Sequence, residues 1–349
     1  MSTCRGCGAI LQTTNPNAAG YTPKEGSAYC KRCFRLIHYD DLTVSMKTGI
    51  DPDQVLDGIA QLNAAVLYVT DLFDFESGMI PGLSRKIGDR DIILACTKRD
   101  LLPETVSHDK IARFVFGRLK EYGIHVKALH LVSGTSKEGV DELREALHEL
   151  AKERPIVVMG RANSGKSTLL NALANQAVLT SSRYPGTTLE FNELEIDGLK
   201  FVDTPGIEVQ HSMIMKVAER ELKTILPSST IKPTVFQIHE DQSYAVGGLT
   251  RVDVRCEGKG TVTWYISDRL YLHRSKAETA DDLWKKQYGK LLVPVPETNR
   301  TITRTYKRNE EKTDVVVDGL GWCCLSGDIT TIRVTTPEDV NVTFRKAML

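Results

Sequence analysis

The sequence predicts an α/β chain with a small cysteine-bearing element ahead of it and a mostly β region behind it. Three observations carry this. Between residues 50 and 208, short apolar β-type runs alternate with amphipathic stretches, as in a mostly parallel sheet covered by helices on both faces. One of those runs leads through a glycine-rich loop directly into a helix. After residue 230, Val, Thr, Ile and Tyr alternate with polar residues between turn signals, the pattern of antiparallel strands.

Taken in order, the first element is marked by Cys4-x-x-Cys7 and Cys30-x-x-Cys33. Two such pairs supply four thiolates for one tetrahedral Zn²⁺, and Gly6 and Gly8 give the tight knuckle around Cys7. Two redox pairs are the alternative reading. Four cysteines close the site, so a structural Zn²⁺ is expected, presenting Lys31, Arg32, Arg35, His38 and Tyr39 to a partner or simply to solvent.

The α/β region follows. Its apolar runs are 64–70, 91–96, 126–132, 155–159 and 199–202, and its helices are expected over 105–122, 138–152 and 165–175. One more helix is expected over 212–226, ending near Pro227. In the β region, turn signals at Gly247-Gly248, Asp318-Gly319 and Ser326-Gly327-Asp328 are expected to break the runs, with one helical insert over 277–288. Cys323 and Cys324 would point to opposite faces of one strand, and Trp264, Trp284 and Trp322 read more naturally as core than as base-stacking platforms. The stretch Arg300–Arg308 reads either as a basic track for RNA or as a charge-guarded edge strand. The expected domains are 1–48, 49–227 and 228–349.

Composition limits the function classes. With 349 residues and 41% hydrophobic content, the chain carries a real core, which excludes whole-chain disorder. No apolar run approaches the roughly 18–20 residues of a membrane helix, so no membrane association is expected. The 45 basic and 45 acidic residues cancel, and the excess is only +3 over 1–50, −6 over 51–209 and +3 over 210–349. Bulk charge therefore does not drive nucleic-acid binding. The absence of a secretory signal and eight cysteines read as reduced thiols make a cytoplasmic protein the expectation. A monomer is expected as well.

The strongest motif is Gly160-Arg161-Ala162-Asn163-Ser164-Gly165-Lys166-Ser167, between the run 156–159 and a helix from Thr168. Its glycines let backbone N–H groups curl onto phosphate oxygens at a helix N-terminus. Lys166 would reach the β- and γ-phosphates, and the Ser167 hydroxyl would bind Mg²⁺. Asp203-Thr204-Pro205-Gly206 follows a run. There Asp203 would hold Mg²⁺ through water, and the Gly206 N–H would sense the γ-phosphate. Between them lies Pro185-Gly186-Thr187-Thr188, where Thr188, with Thr187 in reserve, would close over Mg²⁺.

The base-reading element comes earlier in the chain. Thr97-Lys98-Arg99-Asp100 ends the run 92–96: Asp100 would accept the two N–H donors of guanine, and the Lys98 stem would pack on its ring. Thr97 stands where an Asn is usual. Ser133-Gly134 ends the next run and offers a backbone N–H to the base carbonyl. These are the parts of a GTP/GDP site in rotated order. In a parallel sheet all of these segments end at one edge, so rotation leaves the site unchanged. Ile207 follows Gly206, where Ras-type proteins carry the glutamine that orients water, so a slow intrinsic rate is expected. Asn163 reads equally as a loop cap or as a ligand for a monovalent cation.

A cysteine quartet, a rotated GTPase set and a β-rich C-terminal region together resemble the YqeH family of circularly permuted GTPases. The likeness is carried by Cys4-Arg5-Gly6-Cys7-Gly8, Gly20-Tyr21-Thr22-Pro23, Tyr29–Arg35 and the rotated motifs. It implies a role in assembly of the small ribosomal subunit or its precursor, through rRNA or a ribosomal protein. It also implies K⁺ dependence through Asn163 and an RNA- or ribosome-facing C-terminal domain. The competing reading is a zinc-containing RNA- or protein-binding module in which the nucleotide is mainly structural. A nucleotide-dependent enzyme with another substrate is a third reading, and no second constellation of acid, base or nucleophile supports it.

Overall fold

The computed structural model describes residues 10–14, 20–28, 30, 50–152, 154–174, 181–183 and 191–349, with backbone only at 181–183. In chain order the described helices are α1 (Pro52–Ala60), α2 (Phe75–Gly78), α3 (Leu83–Ile87), α4 (His108–Tyr122), α5 (Val140–Ala151), α6 (Lys166–Ala174), α7 (Leu222–Ile225) and α8 (Ala277–Gln287). The chain forms two compact units. One comprises Met1–Asp71, Ile80–Thr97 and Tyr122–Glu208, the other Leu72–Met79, Lys98–Glu121 and Val209–Leu349.

The first unit is built on a seven-stranded sheet. Its strands are β1 (Ala65–Asp71), β2 (Ile92–Thr97), β3 (Ala128–Leu131), β4 (Ile156–Gly160), β5 (Ser181–Arg183), β6 (Asn192–Ile196) and β7 (Leu199–Asp203), in the order β3-β2-β1-β4-β7-β6-β5. The pairs β1–β2, β1–β4, β2–β3 and β4–β7 are parallel. β1 and β4 are buried along their whole length, because central parallel strands bury both faces. On one face Leu67, Val69, Ile93 and Val158 pack with Leu143 and Leu147 of α5 and Leu169 and Leu173 of α6. α1 starts where Pro52 sets the first turn and the Asp51 carboxylate accepts the N–H groups of Asp53 and Gln54. The parallel sheet and the helices over 108–122, 140–151 and 166–174 agree with expectation. The antiparallel edge β6–β5 was not foreseen, because Asn192–Ile196 is largely half-exposed and lacks an apolar run.

The second unit carries an eight-stranded antiparallel sheet: β8 (Thr234–Ile238), β9 (Gln242–Val246), β10 (Thr250–Ile266), β11 (Leu272–Lys276), β12 (Thr301–Lys307), β13 (Lys312–Val317), β14 (Gly321–Pro337) and β15 (Val342–Lys346). β10 and β14, 17 residues each, pair along nearly their whole length and change partners halfway. β9 and β12 flank one end of this pair, β8 and β13 the other. Rings bridge the two ends: Tyr244 lies 5.9 Å from Trp264, and Tyr306 stacks on Phe344 at 4.4 Å. Trp264 and Trp322 are buried, as expected, and Trp284 is half-buried. Cys323 and Cys324 are adjacent on β14 and both buried.

Two expectations are corrected. Ser326-Gly327-Asp328 does not break a run but lies inside β14, opposite the register shifts of β10 between Arg255 and Gly260. Gly327 has φ +78, and a Cβ there would lie 2.2 Å from the Lys259 carbonyl oxygen, so the turn residues serve a bulge rather than a reversal. Arg308 holds this bulge by donating to the carbonyls of Ile329 (2.7 Å), Leu325 (3.1 Å) and Gly327. The stretch 212–226 is not one helix. It consists of short 3₁₀ turns at Met213–Lys216 and Glu219–Glu221 and the one-turn α7, separated by extended Val217 and Ala218. Tertiary bonds override its helical pattern: the Met213 N–H donates to the Asp318 carbonyl at 2.8 Å, and Ser212 caps Ile214.

Candidate nucleotide site

β4 delivers the phosphate loop. Gly160 ends the strand, and a Cβ there would lie 2.2 Å from the Val69 carbonyl oxygen and 2.9 Å from Ser164 Oγ, so only glycine fits. The loop curls through left-handed residues Asn163 (φ 65) and Gly165 (φ 85) and enters α6 at Lys166. Asn tolerates that conformation better than most side chains, which supports its loop-forming role. Lys166 is buried, with Nζ donating to the Gly160 carbonyl at 3.1 Å. Burial pushes its pKa down, and the Asp203 charge partly restores it. Ser164 Oγ is buried with no hydrogen-bond partner among the described residues. Ser167 and Thr168 are exposed at the start of α6.

β7 brings Asp203 to the same edge, and the segment beyond it is paired on both sides. The Ile207 N–H donates to the Gly160 carbonyl (3.2 Å) and the Ala162 N–H to the Ile207 carbonyl (2.9 Å). On the other side the Ile50 N–H donates to the Gly206 carbonyl and the Glu208 N–H to the Ile50 carbonyl, both at 3.0 Å. A Cβ on Gly206 would lie 3.1 Å from Ala162 Cα. The Ile207 side chain is fully buried.

Thr97 ends β2, buried against the phosphate loop: its Oγ1 lies 2.6 Å from the Ser164 carbonyl oxygen and 3.1 Å from that of Thr70. Gly134 abuts the start of α6, where a Cβ would lie 3.0–3.1 Å from Thr168 atoms. The Ser133 N–H donates to the Glu138 carbonyl (2.9 Å) and its hydroxyl accepts the Ser136 N–H, so it serves its own turn.

In the second unit, Lys98 is left-handed (φ 59) and Arg99–Leu101 form a 3₁₀ turn. Arg99 donates to the carbonyls of Leu102 (3.2 Å) and Val106 (2.8 Å), while the Thr230 hydroxyl and Ile231 N–H bond the carbonyls of Asp100 and Leu101, both at 2.9 Å. Asp100 is half-buried.

The structure thus gathers Thr97, Gly134, Gly160–Thr168 and Asp203–Gly206 in one unit. Thr187, Thr188, Cys4, Cys7 and Cys33 lie outside the described residues. Cys30 is buried, and among the described residues no group of three or more His, Cys, Asp or Glu forms a metal cluster. The donor types fit a phosphate ester with Mg²⁺: loop amides, an ammonium, and the hydroxyl and carboxylate oxygens of Ser167 and Asp203. Ile50, Thr230 and Ile231 were missed by sequence reasoning, because they act through backbone atoms or a lone hydroxyl and leave no motif.

Comparison with known proteins agrees with this geometry. Residues 155–240 match a family model described as 50S ribosome-binding GTPase, and residues 259–348 match one described as YqeH-like, C-terminal. Over 361 residues the chain is 31% identical to the protein YqeH of Bacillus subtilis, covering 99% of both chains. The chain belongs to the YqeH family. This YqeH-family chain is also 26% identical to NO-associated protein 1 of Arabidopsis thaliana, over 98% of its own length and 72% of that protein's. Over 45% of its length it is 32% identical to GTPase Der of Thermotoga neapolitana, covering 37% of that protein. It carries a P-loop GTPase domain followed by a β-rich C-terminal region. No described helix is long and apolar enough to cross a membrane.

Proposed function

We propose that this protein is a GTP-driven switch with slow intrinsic hydrolysis that acts in assembly of the small ribosomal subunit. The observation that carries the switch is the complete phosphate loop with Ile207, next to Gly206, hydrogen-bonded to it through Gly160 and Ala162. In this reading the loop amides of Gly160–Lys166 and the Lys166 ammonium hold the β- and γ-phosphates, and Ser167, Thr188 and Asp203 hold Mg²⁺. Lys98, Asp100 and the Gly134 amide read guanine. Asn163 holds K⁺ beside the phosphates. Gly206 senses the γ-phosphate, and its segment continues within three residues into the second unit. Slow hydrolysis follows from Ile207, a buried apolar side chain that offers no hydrogen bond to water. Cys4, Cys7, Cys30 and Cys33 hold a structural Zn²⁺.

Family membership supports the ribosomal role, and the match of residues 155–240 to the 50S ribosome-binding GTPase family raises the large subunit as the rival partner. The test is co-sedimentation with purified small and large subunits in K⁺ buffer, with a non-hydrolysable GTP analogue, with GDP and without nucleotide. Small-subunit binding strengthened by the analogue is expected. Binding to the large subunit alone, or to neither, overturns the assignment.

A further inference from the structure

Thr97 stands in the position from which GTPases are expected to read the base, yet its hydroxyl lies on the loop that grips phosphate. We infer that Thr97 is a positioning residue for the phosphate loop and takes no part in choosing the base. The inference rests on the nucleotide-binding reading above and gives this side chain a different task within it.

The hydroxyl has one proton, and the shorter contact, 2.6 Å to the Ser164 carbonyl, takes it. That carbonyl belongs to the same planar peptide as the Gly165 N–H, and across a trans peptide the two point in opposite directions. Holding the Ser164 oxygen on Thr97 therefore aims the Gly165 N–H away from β2. The next peptide is fixed as well, because the Gly165 carbonyl accepts the Leu169 N–H at 2.9 Å as the first bond of α6. This aims the Lys166 N–H out of the helix start. Both amides are thus set toward the anion-binding end of α6 before a ligand arrives. Space enforces the arrangement: Gly165 has φ +85, and a Cβ there would meet Thr97 Oγ1 at 3.1 Å and its Cβ at 3.3 Å. Thr97 is buried, so no water can replace its hydroxyl at that carbonyl.

The test compares wild type with Thr97→Val, which keeps the shape and removes the donor, and Thr97→Ser, which keeps the donor. Affinities are measured for GDP, for inosine diphosphate, which lacks the exocyclic amine, and for inorganic pyrophosphate. T97V should weaken all three by the same factor, about tenfold for one buried hydrogen bond. The GDP-to-inosine-diphosphate ratio should stay within about twofold of wild type, and T97S should return to within about threefold. In ligand-free protein the Gly165 amide resonance should move in T97V and not in T97S. A changed base ratio with unchanged pyrophosphate affinity overturns the inference, as does a T97V affinity equal to wild type. If T97V does not fold, Thr97→Cys, a weak donor of similar size, should show the same uniform loss, and unchanged affinity there is equally fatal. Wild-type protein that binds none of the three ligands overturns the nucleotide reading itself, a separate result.

Discussion

Glu76 is a buried carboxylate held by two arginines, and its removal makes a demanding test of the second unit. Its Oε2 accepts Arg118 Nη2 at 2.8 Å, and its Oε1 accepts Arg118 Nε at 3.0 Å and Arg345 Nη1 at 2.8 Å. The Glu76 and Arg345 side chains are each 1% exposed. Arg118 has a second partner in Glu121, but Arg345 would fall back on Asp314 Oδ2 at 3.4 Å, with Phe114 under its guanidinium at 4.5 Å. Breaking a buried pair by removing one partner costs about 3–5 kcal/mol. Gln keeps one acceptor oxygen, so Glu76→Gln should fall near the lower end, about 3 kcal/mol. Trp264, Trp284 and Trp322 all lie in the second unit, so tryptophan fluorescence during urea unfolding reports on that unit alone. With a slope of about 2 kcal/mol/M, the midpoint should drop by about 1.5 M. The acidic side offers a second check. Burial pushes the Glu76 pKa up, but Arg345 and Arg118 outweigh it and hold the carboxyl below its usual range. A depressed carboxylate stabilises above its unfolded pKa of about 4.3, and that stability is lost as pH falls through the folded value. The gap between wild type and E76Q should therefore be full at neutral pH and shrink below roughly pH 4. A midpoint shift under about 0.3 M at neutral pH would show that these arginines do not depend on Glu76.

Three further outcomes are expected. Lys166→Met should weaken GDP binding at least about 100-fold, yet leave ligand-free protein as stable or up to about 1 kcal/mol more stable, because it removes a buried charge; calorimetry and thermal melting read both. Asp100→Asn should lower GDP affinity by roughly two powers of ten and raise that for xanthosine diphosphate, which presents the complementary oxygen, in competition titrations. Elemental analysis of purified protein should find one zinc per chain, and Cys30→Ser should lose it; a stoichiometric zinc that survives C30S would remove Cys30 from the ligand set.

The chain order of motifs was legible because each is a local device. A glycine-rich loop between an apolar run and a helix needs only its own residues to curl, and the structure forms it at Gly160–Ser167 with left-handed Asn163 and Gly165. Strands β1, β2 and β4 were legible because central parallel strands must be apolar on both faces. Strand β6, one in from the sheet edge and largely half-exposed, carries no such mark, and the helical pattern of 212–226 lost to bonds made with Asp318.

By itself, then, the sequence determined the parallel sheet, the phosphate loop, the segment Asp203–Gly206 beyond β7 and the antiparallel β region, since each follows from side-chain period or local backbone need. Only the tertiary structure decided what touches what. It assigned Leu72–Met79 and Lys98–Glu121 to the unit that contains the C-terminal strands, through Glu76, Arg118 and Arg345, residues up to 269 positions apart. It also turned Thr97 toward Ser164, 67 positions away, and made Ile50 the neighbour of Gly206. Such contacts join single groups across long stretches of chain, and no local period or spacing records them.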